Sequence, residues 1–468
     1  MSRQAVTEAV GVLGKIAEAK REELRARYEG VSIEALRARA QPTDRSLADT
    51  LAQPGARFIL EIKKASPSAG AIRPSADPAA LARGYAGVAD ALSVLCDGPY
   101  FRGSLDDLAA ARREFDGPIL AKDFFIDERQ VPEARIAGAD AVLVMLSLLD
   151  DDRARAIIGE AVRLRMDPLV EVHDEAEMRR ALALGARLIG INNRDLRDLS
   201  IDLSTTERLA ALARERVLIS ESGINDRTDI DRLSQLVDGF LIGSSLMRAD
   251  EPAQAGRELI FGRTKICGIN CGASLRAARP AAFAGFVFVP GSPRHVTAQA
   301  ALPLAGTARE RGLHVVGVFR DSDRQDVVNC ARMLDLDAVQ LHGREDRDYV
   351  RELRCQLPDG CEIWTAISVR RDFRDRLGGD RLLFDNGEGG TGQPFDWSLV
   401  REHPRLACSI LAGGIGPLNA REAADLGAYA IDVGSSVDEQ PGRKSPEKIA
   451  KLFAALRPRS KRQVPACV

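Results

Sequence analysis

Residues able to do chemistry stand at the ends of apolar runs in this chain. "LAKDFF" (120–125) carries Lys122 and Asp123, and "LVEVHD" (169–174) carries Glu171. Each run begins like a buried strand, and a central strand does not hold an unpaired charge, because desolvating one costs several kcal/mol or more. Comparable run ends supply Glu61, Lys63, Asn192, Arg194, Glu221 and Ser222. Lys63, Lys122 and Arg194 with the carboxylates Glu61, Glu171 and Glu221 around one axis form a polar mouth able to exchange protons. A solvated loop or a structural ion pair explains one such residue. It explains eight at equivalent places poorly.

The elements that position them repeat. In the first half, apolar segments start at Phe58, Ala91, Pro118, Ala141, Pro168, Leu188, Val217 and Gly239, spaced 20 to 33 residues apart. In the second half they start at Thr264, Ala284, His314, Ala338, Glu362, Leu382, Ser409 and Ala430, spaced 20 to 30 residues apart. Helical patterns such as "DEAEMRRALALGA" lie between them. Near-continuous apolar strands alternating with helices indicate a parallel sheet covered on both faces. Eight such units per half predict an α/β chain of two consecutive (β/α)8 TIM barrels, with active sites at the C-terminal strand ends. The competing arrangement is a pair of open doubly wound sheets. Neither "KKASPSAG" nor "ICGINCG" offers the GxGxxG that such sheets usually carry after the first strand. The expected division is residues 1–255 (a barrel with an N-terminal helical extension), 256–458 (a second barrel) and 459–468 (a polar, frayed tail).

Composition narrows the function. Formal net charge is −2 with 29% charged residues, so no basic excess points to nucleic acid. No run of 18 apolar residues suggests a membrane span, and the charged N-terminus lacks a signal-peptide core. Seven of the eight cysteines fall after residue 266 without disulfide or zinc spacing. That pattern fits reduced thiols in a cytosolic protein, with no metal.

Small-residue turns follow the seventh and eighth strands of each half: "SESGI" and "IGSSLM", then "LAGGIG" and "DVGSSV". Glycine lets the backbone approach a ligand, and free N–H groups there favour phosphate. Gly223, Gly243 and Ser244 are the candidates in the first half, and Gly413, Gly414, Gly434 and Ser435 in the second.

These residues carry a family resemblance. "EIKKASPSAG", "LAKDFFID", "LVEVHD", "IGINNRDLRDLSIDL", "ISESGI" and "FLIGSSLM" resemble indole-3-glycerol-phosphate synthase, in that family's order. "KICGI", "SPRHV", "VGVF", "AVQLHG", "DNGEGGTGQPFDW", "LAGGIG" and "IDVGSSV" resemble phosphoribosylanthranilate isomerase. The resemblance covers nearly the whole chain and implies two consecutive steps of tryptophan biosynthesis on small phosphosugar substrates, with no metal or organic cofactor. It also implies a monomeric cytoplasmic enzyme.

By this resemblance Cys267 is the base and Asp385 the acid of an Amadori rearrangement. Arg294 meets the anthranilate carboxylate, and Gln340 and His342 line the substrate site. In the first barrel Lys122 is the general acid of ring closure, and Lys63 lies near the substrate carboxylate. Glu171 serves the dehydration, Glu61 and Asn192 shape the pocket, and Arg194 and Glu221 hold the lysines in an ion-pair network. Ser66 and Ser222 complete the substrate site. The later proton transfers are open among Lys63, Glu61 and Glu171. Two departures stand out. Ala69 replaces the family's usual lysine, so the mobile loop after strand one carries one charge fewer. Ser436 and Asp438 stand where glycine and glutamate are commoner, which bears on phosphate affinity.

Two other readings compete with this one. Phosphosugar isomerases of histidine biosynthesis pair aspartates at strands one and five, whereas this second half offers Cys267 and an aspartate-free "EIWTAIS". A barrel kept only for binding or stability would have lost its acid or base, and both halves retain theirs.

Overall fold

The structure is a computed structural model that describes residues 12–195, 198–371, 373–387 and 395–461. The chain separates into two compact units, Met1–Gly256 with Pro458–Val468, and Arg257–Arg457.

The first unit is a closed parallel barrel of eight strands. In chain order these are β1 (Arg57–Ile62), β2 (Ala91–Leu95), β3 (Ile119–Lys122), β4 (Ala141–Met145), β5 (Asp167–Val172), β6 (Leu188–Asn192), β7 (Val217–Glu221) and β8 (Gly239–Ile242). Closure runs from Arg57 opposite Gly239 to Leu60 opposite Ile242. The strands read as apolar runs because nearly every residue in them is buried. The segments between strands become helices where a side-chain oxygen caps the first turn. Asp174, the last residue of "LVEVHD", accepts from the Glu177 N–H and opens helix Glu175–Ala183. Asp150 does the same for Asp151–Arg163. The expected N-terminal helical extension forms helix Val12–Arg27.

The second unit is also a closed parallel barrel. Its strands are β9 (Thr264–Cys267), β10 (Phe283–Val287), β11 (His314–Phe319), β12 (Ala338–Leu341), β13 (Glu362–Ser368), β14 (Arg381–Asp385), β15 (Ile410–Leu411) and β16 (Ala430–Val433). Phe283 and Trp364 meet edge to face at 5.3 Å in its core. Part of the "DNGEGGTGQPFDW" motif, residues 388–394, lies outside the described residues.

The segment after residue 457 departs from the frayed tail that its polarity suggests. Pro458 O accepts from the Ala56 N–H at 2.9 Å, and the Lys461 N–H donates to Val237 O at 3.3 Å. Lys461 Nζ donates to Arg214 O (3.1 Å) and Arg216 O (2.6 Å) and pairs with Asp238 (3.0 Å). Ser460 is buried. Pro458–Lys461 is therefore a strap across the N-terminal strand ends of the first barrel. Residues 462–468 lie outside the described residues.

Among the described residues no helix is long and apolar enough to cross a membrane. Their seven cysteines are free.

Candidate active sites

The strand ends of the first barrel converge on a cavity of about 220 Å³, lined by Lys63, Lys122, Glu171, Asn192 and Glu221 among others. Lys122 ends β3, and its ammonium lies between two carboxylates. It contacts Glu221 Oε2 closely and Glu171 Oε2 at 3.3 Å. Lys63 Nζ pairs with Glu61 Oε1 at 2.6 Å, and Ser93 Oγ donates to Glu61 at 3.4 Å. Asn192 Oδ1 accepts from the Arg194 N–H at 3.0 Å.

Three carboxylates thus share two lysines in a largely desolvated mouth, and the proton affinities follow. Burial alone would lower the Lys122 pKa, but Glu221, Glu171 and Glu61 outweigh it and hold the ammonium charged. Burial pushes the Glu221 carboxyl up to about 7, more than Lys122 offsets, with Glu171 and Glu61 adding repulsion. Glu171 goes the other way. Burial opposes its charge, but Lys122, His173 and Asn192 keep its pKa below the ordinary carboxylate value.

The phosphate candidates Gly223, Gly243 and Ser244 line the same cavity, as do Ser66 and Ser222. Gly223 has φ +83° and Ser222 φ +64°, so this turn uses left-handed backbone at two successive residues. At Gly243 a Cβ would fall 2.3 Å from Glu61 Oε1. The loop after β1 is a small hairpin, Ala65–Ser66 against Gly70–Ala71. Within it the Ala69 N–H donates to Ser66 Oγ at 3.2 Å.

One expectation needs correction. Arg194 holds neither lysine, which two like charges would in any case disfavour. It lines the cavity, and its Nη1 donates to Leu199 O at 3.0 Å within its own loop. Asp123 also lines the cavity, but its carboxylate is taken by Lys20 at 2.8 Å. Lys20 is buried and pairs with Asp97 (3.0 Å) and Glu23 (2.9 Å) too. It thereby seats helix Val12–Arg27, whose Leu13 and Ile16 wall the cavity.

In the second barrel the corresponding cavity holds about 720 Å³ and brings together Cys267, Arg294, Gln340, His342 and Asp385. Gly413, Gly414, Gly434 and Ser435 line it as well. His342 Nε2 meets Asp385 Oδ2 at 3.1 Å, and Gln340 Nε2 meets His342 Nδ1 at 3.2 Å. Burial opposes the charge on Asp385, but His342, the Asn386 N–H and Lys265 keep its pKa below the ordinary value. Burial pushes the Cys267 thiol up, against a pull from Lys265.

Arg294 enters this cavity already engaged. Its Nε and Nη2 donate to Asp438 Oδ2 at 2.9 and 2.7 Å, and Lys444 holds the other oxygen at 2.7 Å. Asp438 is thus a counter-ion to two cations. Ser436 Oγ donates to Ile415 O, fastening one glycine-rich turn to the other.

Several site residues escaped the sequence reading: Lys20, Lys265, Asp432 and His173. His173 Nδ1 meets Glu177 at 3.0 Å while its Nε2 lies 3.6 Å from Glu171. The available signal was strand alternation. His173 follows Glu171 by two residues, and Lys265 precedes Cys267 by two, so each pair shares a strand face. Among the described residues no group of three or more His, Cys, Asp or Glu could hold a metal ion.

Comparison with known proteins assigns both barrels. A family model described as indole-3-glycerol phosphate synthase matches residues 13–259. One described as N-(5'phosphoribosyl)anthranilate (PRA) isomerase matches residues 264–455. A Salmonella typhi protein called tryptophan biosynthesis protein TrpCF is 44% identical over 451 residues, covering 95% of this chain and 99% of the relative. A protein of the same name from Vibrio parahaemolyticus is 42% identical over 463 residues, covering 96% and 95%. A crystal structure of phosphoribosyl anthranilate isomerase from Thermus thermophilus is 34% identical, with a TM-score of 0.36. It covers 42% of this chain and 98% of that one.

Proposed function

From the premise that this chain belongs to the bifunctional tryptophan-biosynthesis family joining indole-3-glycerol phosphate synthase to phosphoribosylanthranilate isomerase, we propose how the two reactions divide among its residues. The second barrel isomerises N-(5-phosphoribosyl)anthranilate to 1-(2-carboxyphenylamino)-1-deoxyribulose 5-phosphate. The first closes that product to indole-3-glycerol phosphate, releasing carbon dioxide and water.

In the isomerase, Asp385 gives a proton to the furanose ring oxygen as the ring opens, and Cys267 Sγ takes the proton from the adjacent sugar carbon. The free site holds the opposite distribution, with the thiol favoured on sulfur and the charge favoured on Asp385. A bound phosphosugar buries Asp385 further and adds negative charge, and both effects raise a carboxyl's proton affinity. His342 orients that carboxyl. Arg294, held by Asp438, presents its fork to the anthranilate carboxylate. The turns at Gly413–Gly414 and Gly434–Ser435 take the phosphate.

In the synthase, Lys122 is the acid at the substrate carbonyl oxygen. Its two carboxylate partners keep it charged, so the proton is present when ring closure begins. Lys63 attracts the substrate carboxylate in competition with Glu61. Glu171, ionised beside Lys122, takes and returns a proton during loss of hydroxide. Glu221, with proton affinity near neutrality, sets the charge of Lys122's surroundings. Gly223, Gly243 and Ser244 hold the phosphate. The protein works as a cytoplasmic monomer.

The observation that carries this reading is the convergence of Lys122, Glu171 and Glu221 by direct contact at one barrel mouth. The test supplies purified protein with each substrate separately. Lys122→Met should remove the synthase activity alone, and Cys267→Ser the isomerase activity alone. Loss of both activities in either variant would contradict the division.

A further inference from the structure

Beneath Cys267 lies a lysine with no side-chain exposure at all. Lys265 Nζ pairs with Asp432 Oδ2 at 2.8 Å and donates to Gln340 Oε1 at 2.7 Å, and its charge favours the Cys267 thiolate. Room for it comes from Gly285, the register partner of Cys267 on β10. A Cβ there would fall 2.8 Å from Lys265 Cε and 3.3 Å from Cys267 Sγ. A buried ion pair is a weak source of stability, since apolar residues of similar volume often serve as well or better. Asp432 also leaves Oδ1 buried without a hydrogen-bond partner. An arrangement selected for stability alone would not seat a buried lysine beside a thiol, with both flanking the space that Gly285 leaves open.

We propose that Lys265 is a positioning residue of the isomerase, tethered by Asp432 and Gln340 so that its ammonium stabilises the Cys267 thiolate. This rests on the reading of Cys267 as the proton acceptor. Lys265 keeps its protons throughout: sulfur takes the carbon proton, and Lys265 balances the charge sulfur carries before that step. The charged groups facing Cys267 are Lys265 from its own strand, Asp432 from β16 and Lys444. Arg294 packs over the adjacent Gly268, and His342 and Asp385 line the same cavity. Lys265 and Lys444 favour the thiolate, whereas Asp432 opposes it.

Those opposed signs make the test. In the full chain with Cys271→Ala, the rate of Cys267 alkylation by iodoacetamide is followed against pH by peptide mass spectrometry. Lys265→Met should shift the profile upward by about one pH unit or more, roughly a ten-fold slower reaction at neutral pH. Asp432→Asn should shift it downward, because the negative charge that opposes the thiolate is gone while Gln340 still tethers Lys265. Lys265→Met should also lower isomerase kcat with KM little changed, while synthase activity of the same chain holds. A profile unmoved by Lys265→Met, or moved the same way by both variants, overturns the proposal. If Lys265→Met does not fold, Asp432→Asn decides, and an unmoved or upward profile overturns it. Failure of the underlying reading is distinguishable: Cys267→Ser would then retain isomerase turnover, whatever the alkylation profiles show.

Discussion

Gly190 leaves empty the space that Glu221 occupies. A Cβ built at Gly190 on β6 would fall 2.0 Å from Glu221 Oε1 on the neighbouring strand. The atom in the way is the far end of a flexible side chain, so Gly190→Ala should move Glu221 rather than break the barrel. Lys122 would keep Glu171 as its remaining close partner. Synthase kcat should fall on the order of 10²-fold, the scale of a misplacement near 1 Å, with isomerase activity untouched. Steady-state assays of both activities check this, and an unchanged synthase kcat would show that Glu221 has no part in setting Lys122.

Lys122→Met removes the proposed acid and leaves Glu171 and Glu221 facing each other. Synthase turnover should drop by about 10²–10⁴-fold, the usual contribution of a positioned general acid. Isomerase turnover should stay at the wild-type level. Full synthase kcat in this variant would move the acid role elsewhere, with Lys63 the nearest alternative.

Asp385→Asn keeps the shape of the second site but has no acidic proton to give. Isomerase activity should fall by a similar factor, while His342, able to donate to the new amide oxygen, preserves the fold. Comparing kcat for the two reactions in one preparation is the measurement. Normal isomerase turnover would sink the acid assignment.

The Glu221 carboxyl has a raised proton affinity in the folded protein, about 7 against an ordinary 4.5. A folded pKa above the unfolded one stabilises the fold fully below about 4.5, and that contribution is lost as pH rises through 7. Glu221→Gln cannot ionise. Its melting temperature should therefore gain on the wild type between pH 5 and pH 8, at roughly 2–4 °C per kcal/mol for a domain of this size. Calorimetry at both pH values decides the matter, and parallel curves would mean that Glu221 does not titrate in this range.

The barrels were legible because strands buried on both faces must be apolar throughout, and because glycine marks the turns where backbone meets ligand. Lys122, Glu171 and Glu221 were legible because a charge within such a run demands an explanation. What did not show was pairing across the chain. Nothing near Asp123 announces Lys20, and Asp438 lies 144 residues from the Arg294 it engages. Orientation was hidden too: Arg194 stands at a strand end like its neighbours, yet its guanidinium turns back to Leu199 O. Lys265 went unremarked because its partners, Gln340 and Asp432, come from two other strands.

The strap at Pro458–Lys461 ties the first barrel to the order of its own synthesis. A ribosome that has finished β8 still has about 200 residues to translate before Pro458 emerges, some 10–40 s at ~5–20 residues per second. Through that interval Ala56 is without its bond to Pro458 O and Asp238 without its ion pair to Lys461, while the Leu218 N–H still donates to the Asp238 carboxylate. The nascent first barrel should therefore be complete in sequence yet more open to protease than the released chain. Released chains ending at Gly256 and at residue 461, treated with protease, should show protection of the first barrel rising between the two lengths. Lys461→Ala should blunt that rise. Equal protection at both lengths would mean that the first barrel is finished before its strap arrives.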